Sequence, residues 1–473
     1  MIFCDISKAF DRVWHRGLLS KLKSFGITGN LFLWFSNYLR NRCQSVVING
    51  KQSNLAYITA GVPQGSILGP LLFLIFINDI VNNISCAIKL FADDTSLYVI
   101  VESPHLSANL LNDNLSKINE WSKTWLVNFN PSKTLTMTVS KKTNKPIHPS
   151  LFMNNTILTE VTSHTHLGIT LSANGNWTDH LQHIISKASK KLAVLRNLKF
   201  SIDRKSLQTL YCSFIRPLLE YGDIVWDNIT LGQSKLLESI QLEAARIITG
   251  ATKLTSHDRL YLESGLDTLV NRRRKHKIIK FHQMVHDQCP TYLTNLLPAR
   301  HSNIHSYNTR RADSFKLIPC RTNLFKDSFL PSSVVLWNAL PEVIKTNPSI
   351  INLKKFLNAG TETVPLYYYR CKTRHSQIHH ARLRMHCSSL NSHLYIRNLV
   401  NSPLCSCNLS DETTEHFLLH CPNYQHIRIQ CFRNLPPDYN VNILLYGNPD
   451  MPDQYNENIF DIVQTFIIHS KRF

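Results

Sequence analysis

The chain has 473 residues, of which 43% are hydrophobic, so it is long and apolar enough for several folded domains and is not a disordered chain. Lys and Arg total 52 against 32 acidic residues, and the net charge of +20 indicates a polyanionic partner, nucleic acid or an acidic membrane surface, unless the excess is only a basic solvated surface. Charged residues near the start argue against a secretory signal, and no apolar run is long enough to cross a bilayer. Because the 12 cysteines are mostly scattered singly, they favour a reduced, intracellular compartment.

The first predicted element is a short apolar strand, residues 2–4, which runs directly into Asp5. Ser7 then caps a helical turn that carries Phe10 and Trp14. Asp5 therefore lies at the C-terminal end of a strand, where carboxylates are often presented to ligands. A plain turn or capping role for Asp5 is the alternative.

A glycine-rich loop occupies residues 60–70 and leads into a helix that is apolar on all sides and is therefore predicted to be buried. Gly61 and Gly65 flank Val-Pro-Gln, and glycines allow a tight loop and a close approach of a ligand to the backbone. Ser66 is a candidate cap for the helix, whose N-terminus suits a phosphate. A strand-to-helix turn without a ligand is the alternative.

Two adjacent carboxylates, Asp93 and Asp94, fall between two strand-like runs, residues 87–91 and 97–101. Both runs are rich in aliphatic, aromatic and β-branched residues, so they predict a β-hairpin with the carboxylates at its tip. Since Asp is also common in turns, an ordinary turn is the alternative. Further on, Lys133 precedes a predicted strand at residues 135–139. Its side chain is either a functional cation or an ordinary surface lysine.

Amphipathic helical patterns follow from Asp179 onwards, and Gly250 is predicted to end the third helix. The polar side of the first helix is basic, and its cations are Lys187, Lys190, Lys191, Arg196 and Lys199. This side fits a nucleic-acid backbone or a solvated helix face. A second basic run, residues 271–277, opens a later helix and fits either RNA contact or a nuclear import signal.

Four residues near the C-terminus have side chains that zinc prefers: Cys405, Cys407, His416 and Cys421. Three thiolates and one imidazole make a plausible tetrahedral Zn²⁺ site, although the first two cysteines are closer than in the usual Cys-x-x-Cys. His420 is an alternative ligand because it lies one helical turn from His416. Free buried cysteines are the other interpretation.

Three of these segments occur in a distinctive order: residues 2–11 (Ile-Phe-Cys-Asp-Ile-Ser-Lys-Ala-Phe-Asp), 61–70 (Gly-Val-Pro-Gln-Gly-Ser-Ile-Leu-Gly-Pro) and 91–94 (Phe-Ala-Asp-Asp). Together they resemble the palm of reverse transcriptases of non-LTR (LINE-type, jockey-like) retrotransposons. The resemblance runs from residue 1 to about 178. It includes Asn-x-x-Lys-Thr at residues 130–134 and a Leu-Gly hairpin at residues 166–171 that is similar to the one gripping the primer end.

The resemblance implies that Asp5, Asp93 and Asp94 bind two Mg²⁺ ions. Mg²⁺ prefers a few carboxylate oxygens together with phosphate and water, and two such ions promote in-line displacement at phosphorus. Lys133 is implied to approach the pyrophosphate, where a cation assists the leaving group.

Other implied roles concern the incoming nucleotide. Phe10 matches the family's bulky residue that excludes a ribose 2′-hydroxyl, with an ordinary core Phe as the alternative. Gln64 and Gly65 match the residues that line the nucleotide. Asp11 also belongs to the family pattern, and we interpret it as structural.

The fold that the resemblance implies is of the α+β class: a polymerase palm, with an antiparallel sheet and packed helices, then a helical thumb and a small C-terminal zinc-binding module. The expected domains are 1–178 (palm without fingers), 179–289 (thumb), 290–360 (a connecting region without assigned chemistry) and 361–473 (a basic C-terminal region with the zinc module).

The implied function is that of an RNA-directed DNA polymerase, with an RNA template, a DNA primer and dNTP as partners and no membrane. Two Mg²⁺ ions and one structural Zn²⁺ are its expected cofactors, and the nucleus or a cytoplasmic ribonucleoprotein is its expected location. Because the chain starts at the first catalytic motif, we expect an N-terminally truncated enzyme whose activity is reduced or lost. The alternatives are a non-catalytic nucleic-acid-binding remnant and a maturase-like splicing factor, which the jockey-like C-terminus disfavours.

Overall fold

A computed structural model describes residues 1–144, 147–301, 314–359, 364–370 and 372–473. The predicted connecting region and the start of the predicted C-terminal region therefore lie partly outside the described residues. The chain divides into two compact units, Met1–Asp179 and His180–Phe473. The division of the second unit into a thumb, a connecting region and a C-terminal module stays a prediction.

The first unit combines short strands with four helices. Its strands are β1 (Ile2–Cys4), β2 (Cys43–Gln44), β3 (Val47–Ile48), β4 (Lys51–Gln52), β5 (Ala56–Tyr57), β6 (Ala87–Phe91), β7 (Asp94–Tyr98), β8 (Leu135–Thr136), β9 (Phe152–Met153), β10 (Thr156–Ile157), β11 (Thr159–Glu160), β12 (Ser163–His166) and β13 (Ile169–Ser172). Its helices are α1 (His15–Ser24), α2 (Gly29–Leu39), α3 (Leu68–Ile77) and α4 (Pro104–Trp125).

A five-stranded sheet in the order β11-β8-β1-β7-β6 forms the centre of this unit. Neighbouring strands are antiparallel, as predicted, except that β11 runs parallel to β8. The predicted hairpin is confirmed as β6 and β7, which pair from Ala87 opposite Tyr98 to Phe91 opposite Asp94. Its second strand is Asp94–Tyr98 and not residues 97–101 as predicted, so Asp94 is the first residue of that strand and only Asp93 lies in the turn. The central strand β1 is flanked on both sides, so all three of its side chains are buried.

One face of the sheet packs on the helices. Ile2 and Leu97 from the sheet are fully buried in a core that also holds Leu18 of α1, Phe76 of α3 and Ile118 of α4. Each such side chain removed from water stabilises the fold by about 1.5–3 kcal/mol. Since strand side chains alternate between faces, Phe3 points to the other face and packs against Met137 and Ala173.

The prediction that α3 is buried on all sides is wrong. Leu72, Phe73 and Phe76 are buried, but Leu71 and Leu74 are 50% and 48% exposed. The described neighbours cover only one side of the helix. An all-apolar helix lacks the polar stripe that would have revealed which side stays open.

The second unit is helical. Its helices, the first of which starts two residues before the unit boundary, are α5 (Thr178–Asn197), α6 (Arg204–Leu210), α7 (Arg216–Glu220), α8 (Asp223–Trp226), α9 (Leu231–Thr249), α10 (His257–Ser264), α11 (Leu269–Val285), α12 (Thr291–Thr294), α13 (Asn323–Lys326), α14 (Phe329–Asn338), α15 (Glu342–Lys345), α16 (Ile350–Asn358), α17 (Arg374–Arg384), α18 (Asn391–Tyr395), α19 (Gln425–Phe432), α20 (Val441–Tyr446) and α21 (Asp453–Ser470). Helix α9 begins with a capping box between Thr230 and Gln233 and ends, as predicted, at Gly250, whose φ is +77°. None of the described helices is both long enough and apolar enough to span a bilayer.

A buried ion cluster joins distant parts of the second unit. The Glu263 carboxylate of α10 accepts hydrogen bonds from Arg204 of α6 at 2.6 Å and from Arg384 of α17 at 2.6 and 2.9 Å. The predicted thumb and the predicted C-terminal region therefore share one buried charge network.

The basic run at residues 271–277 lies in α11, and most of its basic side chains pair with acidic side chains of the protein. Its ion pairs with acidic side chains are Arg272–Glu220, Arg273–Asp227, Lys275–Asp267, His276–Asp223 and Lys277–Asp227. Arg273 and Lys277 are also buried. Most of this run is therefore paired with acidic side chains of the protein, and RNA contact or an import signal stays a prediction.

Candidate active site and metal site

The two strands that carry the predicted catalytic carboxylates lie side by side. In the β1–β7 ladder Cys4 is opposite Thr95, so the next residues, Asp5 and Asp94, face each other at the end of the pair. Because Ile2 and Cys4 point to the helical core, Asp5 and Asp94 project from the opposite face. Asp93 occupies the turn between β6 and β7, together with Ala92, whose φ is +52°.

These carboxylates are accessible and carry uncompensated charge. Asp5 and Asp93 are half-buried, Asp94 is exposed, and none of them forms an ion pair with a described residue. Neighbouring carboxylates repel one another unless a cation lies between them, and hard oxygen ligands suit Mg²⁺. Among the described residues, one group of three or more His, Cys, Asp or Glu side chains has its ligand atoms within 4.8 Å of one another: Cys405, Cys407, His416 and Cys421. The carboxylate oxygens of Asp5, Asp93 and Asp94 lie further apart than the ligand atoms of that group.

The backbone of Asp5 is held by the turn at residues 130–134, the Asn-x-x-Lys-Thr segment that carries Lys133. Asn130 N–H donates to the Asp5 carbonyl at 2.8 Å, and Asp5 N–H donates to the Thr134 hydroxyl at 3.3 Å. Thr134 is 0% exposed, and its hydroxyl donates to the Asn130 carbonyl at 2.9 Å. Lys133 itself is exposed on this turn. Thr134 ends the Asn-x-x-Lys-Thr segment, and its supporting role is not predictable from sequence because a buried hydroxyl leaves no pattern there.

The glycine-rich loop is tied to residues 10–15. Gly61 N–H donates to the Val13 carbonyl at 2.8 Å, and the Gly61 carbonyl lies 2.7 Å from Nε2 of His15. A Cβ on Gly61 would lie 2.7 Å from the Asp11 carbonyl oxygen, and its φ is +95°, so only glycine fits without strain. The loop is therefore fixed at its first glycine.

The far end of the loop presents Gln64 and Gly65, both exposed. Gln64 Nε2 donates to Asp11 Oδ1 at 2.8 Å. Asp11, for which a structural role is predicted, therefore also orients a predicted nucleotide-binding side chain. Gly65 has a φ of +80° with open space around its Cα, which leaves the backbone accessible to a ligand.

Phe10 is half-buried, and its ring stacks on Phe73 of α3 with 4.5 Å between centroids. The ring is thus supported from behind by the core while part of its surface stays accessible. This placement is compatible with both roles considered from sequence, a core Phe and a bulky residue that excludes a ribose 2′-hydroxyl. The second role stays a prediction.

A second hairpin, β12 and β13, packs on the same sheet face as the carboxylates. Its turn at Leu167 and Gly168, with φ of +48° and +78°, confirms the Leu-Gly hairpin, while its role at a primer end stays a prediction. His164 of this hairpin stacks on Phe3 with 4.1 Å between centroids, which sequence reasoning did not predict. Burial lowers the pKa of His164, as does His166, while Asp94 opposes the shift.

The predicted zinc ligands come together in the second unit. Sγ of Cys405 lies 3.7 Å from Sγ of Cys421, and Sγ of Cys407 lies 3.3 Å from Nε2 of His416. Tetrahedral coordination with Zn–S bonds of about 2.3 Å places two sulfurs about 3.8 Å apart, so this cluster fits a zinc ion. The thiols are free and no disulfide joins them.

Local backbone geometry selects His416 over His420. A π-helical turn at His416–His420 lets Cys421 N–H donate to the His416 carbonyl at 2.7 Å, which brings these two ligands together. Nδ1 of His416 lies 2.8 Å from the Ser410 hydroxyl, so Nε2 faces the cysteines. His420 is 65% exposed and outside the cluster. Burial lowers the pKa of His416, which favours the neutral, metal-binding imidazole.

The amino-acid sequence of the first unit is similar to one family of known proteins. Residues 1–171 match the family model of reverse transcriptase (RNA-dependent DNA polymerase). This span contains the Asp5, Asp93 and Asp94 strands, the glycine-rich loop and the Lys133 turn. Residues 1–171 are therefore similar to reverse transcriptase domains.

The chain is similar to RNA-directed DNA polymerases of non-LTR retrotransposons. It is 30% identical to the RNA-directed DNA polymerase from mobile element jockey of Drosophila melanogaster over 260 residues, 53% of this chain and 28% of that protein. It is 26% identical to the probable RNA-directed DNA polymerase from transposon BS of the same species over 310 residues, 63% of this chain and 34% of that protein.

A third relative extends through most of the chain. The Pol polyprotein from type-1 retrotransposable element R1 of Bradysia coprophila is 23% identical over 439 residues, 90% of this chain and 40% of that protein. The chain thus spans about a third of the length of the curated relatives it matches.

Proposed function

We propose that this chain acts as an RNA-directed DNA polymerase that adds deoxynucleotides to a DNA primer on an RNA template. The observation that carries the proposal is the placement of Asp5 opposite Asp94, with Asp93 in the adjoining turn, inside a domain that matches reverse transcriptases. A pair of antiparallel strands holds these carboxylates at one end of a buried sheet, which gives them a fixed spacing.

Asp5, Asp93 and Asp94 would hold two Mg²⁺ ions, to which their oxygens are chemically suited. When bound, the ions would supply the positive charge needed to activate the primer hydroxyl and to stabilise the leaving pyrophosphate. The chain supplies the positioning: the Thr134 and Asn130 hydrogen bonds fix the Asp5 backbone, and the same turn presents Lys133 as a cation for the leaving group.

The nucleotide would lie between the glycine-rich loop and Phe10. Gln64, oriented by Asp11, and the open backbone at Gly65 offer it polar contacts. Phe10 is supported by Phe73, so its ring resists displacement by a ribose 2′-hydroxyl. This arrangement would select deoxynucleotides over ribonucleotides.

We further propose that Cys405, Cys407, His416 and Cys421 hold a structural Zn²⁺. The support is the fit between their separations and tetrahedral coordination, together with the Ser410 contact that sets the imidazole orientation. All four positions of the ion would be taken by protein, which leaves no open site for a reacting water.

Template and primer would bind through sequence-independent contacts to phosphates. Lys187 and Lys190 of α5 are exposed and form no ion pair with a described residue, in contrast to the basic run of α11. Together with the net charge of +20, they favour nucleic acid as the partner and an intracellular setting, in the nucleus or a ribonucleoprotein.

Primer extension on an RNA template with Mg²⁺ tests the proposal. Asp93→Asn and Asp94→Asn should each abolish extension, because an amide cannot replace the charge that holds the ions. Asp113→Asn is the matched control, since Asp113 is a surface residue of α4 that pairs only with Lys117. Extension that survives both active-site changes would refute the assigned site.

A non-catalytic nucleic-acid-binding role is the second candidate. The observation in its favour is that the three carboxylates do not gather as tightly as the Cys/His ligands do. Absence of extension by every form, with salt-sensitive binding of an RNA–DNA duplex retained, would support this role in place of the polymerase.

A further inference from the structure

The glycine-rich loop at residues 60–66 is hydrogen-bonded to the segment that carries Phe10. Gly61 N–H donates to the Val13 carbonyl at 2.8 Å, and Val62 N–H donates to the Phe10 carbonyl at 2.8 Å. These two bonds fix the distance between the loop and the backbone from which the Phe10 ring projects.

His15 supplies a third bond to the same loop. Its Nε2 lies 2.7 Å from the Gly61 carbonyl oxygen, so the imidazole tautomer with a proton on Nε2 donates to that oxygen. His15 is the first residue of α1, which packs on α3, the helix that follows the loop. Gly61 is buried, so loss of the imidazole would remove the hydrogen bond of a carbonyl that water reaches poorly.

The other end of the loop is tied to α3. The Ser66 hydroxyl donates to the Pro63 carbonyl at 2.7 Å and accepts from Gly69 N–H at 2.9 Å. The Phe10 ring stacks on Phe73 of the same helix. The ring and the helix end of the loop therefore share one support, and the bonds at the first glycine decide how far the rest of the loop can move from the ring.

We propose that His15 is a positioning residue that sets the sugar selectivity of the nucleotide site. It holds the loop close to Phe10, so a nucleotide between them cannot move away from the ring to make room for a ribose 2′-hydroxyl. The inference rests on the proposed function, because it takes the loop and Phe10 as two sides of that site. The metal site should not change without His15, since Asp5 keeps its separate bonds to Asn130 and Thr134.

Nucleotide binding tests the inference without requiring primer extension. The full chain is mixed with an RNA template and a DNA primer that ends in a dideoxynucleotide, in the presence of Mg²⁺. Retention of radiolabelled nucleotide on a filter then gives the affinities for dATP and ATP opposite a template uracil. We expect the parent chain to prefer dATP. His15→Asn should reduce this preference about tenfold, because the shorter amide does not reach the Gly61 carbonyl.

His15→Gln is the matched variant. The nitrogen of its longer amide reaches the place of Nε2, so it should keep the preference within about twofold of the parent. Because Asn and Gln are similar in polarity and both lack the ring, a difference between them reports the bond to the loop. His105→Asn, at an exposed histidine of α4, is the control for a histidine outside the loop contacts.

Hydrogen exchange followed by mass spectrometry gives a second readout, which does not depend on nucleotide. In His15→Asn the amides of Gly61 and Val62 should exchange about tenfold faster than in the parent, because the loop opens more often. In His15→Gln they should exchange as in the parent.

Three results would overturn the proposal. The first is an unchanged preference for dATP in His15→Asn, or a lost preference that His15→Gln does not restore. The second is unchanged exchange at Gly61 and Val62 in His15→Asn, because the imidazole would then not hold the loop. The third is the absence of nucleotide binding by the parent chain.

Failure of the polymerase proposal would look different. The parent chain would then extend no primer, yet would still bind dATP in preference to ATP in a manner that depends on His15. That result would refute the polymerase activity and support the positioning role.

Discussion

At the residue scale, the glycine-rich loop shows how one backbone position fixes a site. Gly61 lies against the Asp11 carbonyl, and the Asp11 side chain in turn accepts a hydrogen bond from Gln64. Asp11 therefore contacts the glycine-rich loop twice, at Gly61 through its carbonyl and at Gln64 through its side chain. Gly65 has a similarly positive φ but open surroundings.

The two glycines provide a matched pair for mutation. Gly65→Ala should cost about 1–2 kcal/mol of unfolding free energy because alanine disfavours a positive φ. Gly61→Ala carries the same backbone penalty and should cost more in total, about 3 kcal/mol or above, since its Cβ would also collide with the Asp11 backbone. Urea unfolding of the two variants and the parent measures this difference. Equal losses would show that the close approach at Asp11 relaxes without cost.

At the scale of single elements, the π-helical turn at His416–His420, with Cys421 directly after it, carries two of the four residues of the proposed metal site. It brings His416 and Cys421 to one side and leaves His420 exposed. Nε2 of His416 faces Cys407 while the His420 side chain is exposed, so the spacing of the two histidines in sequence does not by itself decide which imidazole is available.

Metal analysis of purified variants tests this choice. His416→Ala and Cys421→Ser should each reduce bound zinc from one equivalent to a small fraction, because a four-ligand structural site loses a ligand. His420→Ala should retain the metal. Zinc content is measured by mass spectrometry after dialysis in reducing buffer. Retention of zinc by His416→Ala together with its loss in His420→Ala would reverse the ligand assignment.

At the scale of the whole molecule, the Arg204–Glu263–Arg384 cluster links residues 180 positions apart in sequence within one buried site. Burial alone would raise the pKa of the Glu263 carboxyl, but the charges and hydrogen bonds of Arg384 and Arg204 lower it below its usual value. A lowered pKa means that the cluster stabilises the fold above the unfolded pKa, about 4.3, and that this contribution is lost as the pH falls through the folded pKa.

Glu263→Gln should therefore destabilise the second unit by about 3–5 kcal/mol at pH 7, because two buried guanidinium groups would lose their counter-charge. The difference from the parent should shrink as the pH falls below about 4. Urea unfolding at several pH values measures it. Glu342→Gln, on an exposed carboxylate three residues from Lys345, is the control and should change stability by less than about 0.5 kcal/mol.

Sequence predicted the parts that depend on nearby residues. The β6–β7 hairpin, the end of α9 at Gly250 and the Cys/His cluster each follow from local patterns and were confirmed. The open side of α3, the ion pairs of α11 and the support of Asp5 by Thr134 depend on contacts between distant residues. Charge runs were the least informative pattern, because acidic partners for residues 272–277 come from positions up to 53 residues away.

The Arg204–Glu263–Arg384 cluster also limits how the second unit can be divided for expression. A fragment that ended after α11 would keep Arg204 and Glu263 but lose Arg384, together with the apolar side chain of Ile378 that packs on Gly250. Such a fragment would leave the Glu263 carboxylate without its Arg384 partner and would expose the apolar surface around Gly250, so it would tend to aggregate. Soluble pieces of this protein should therefore keep α6, α10 and α17 together.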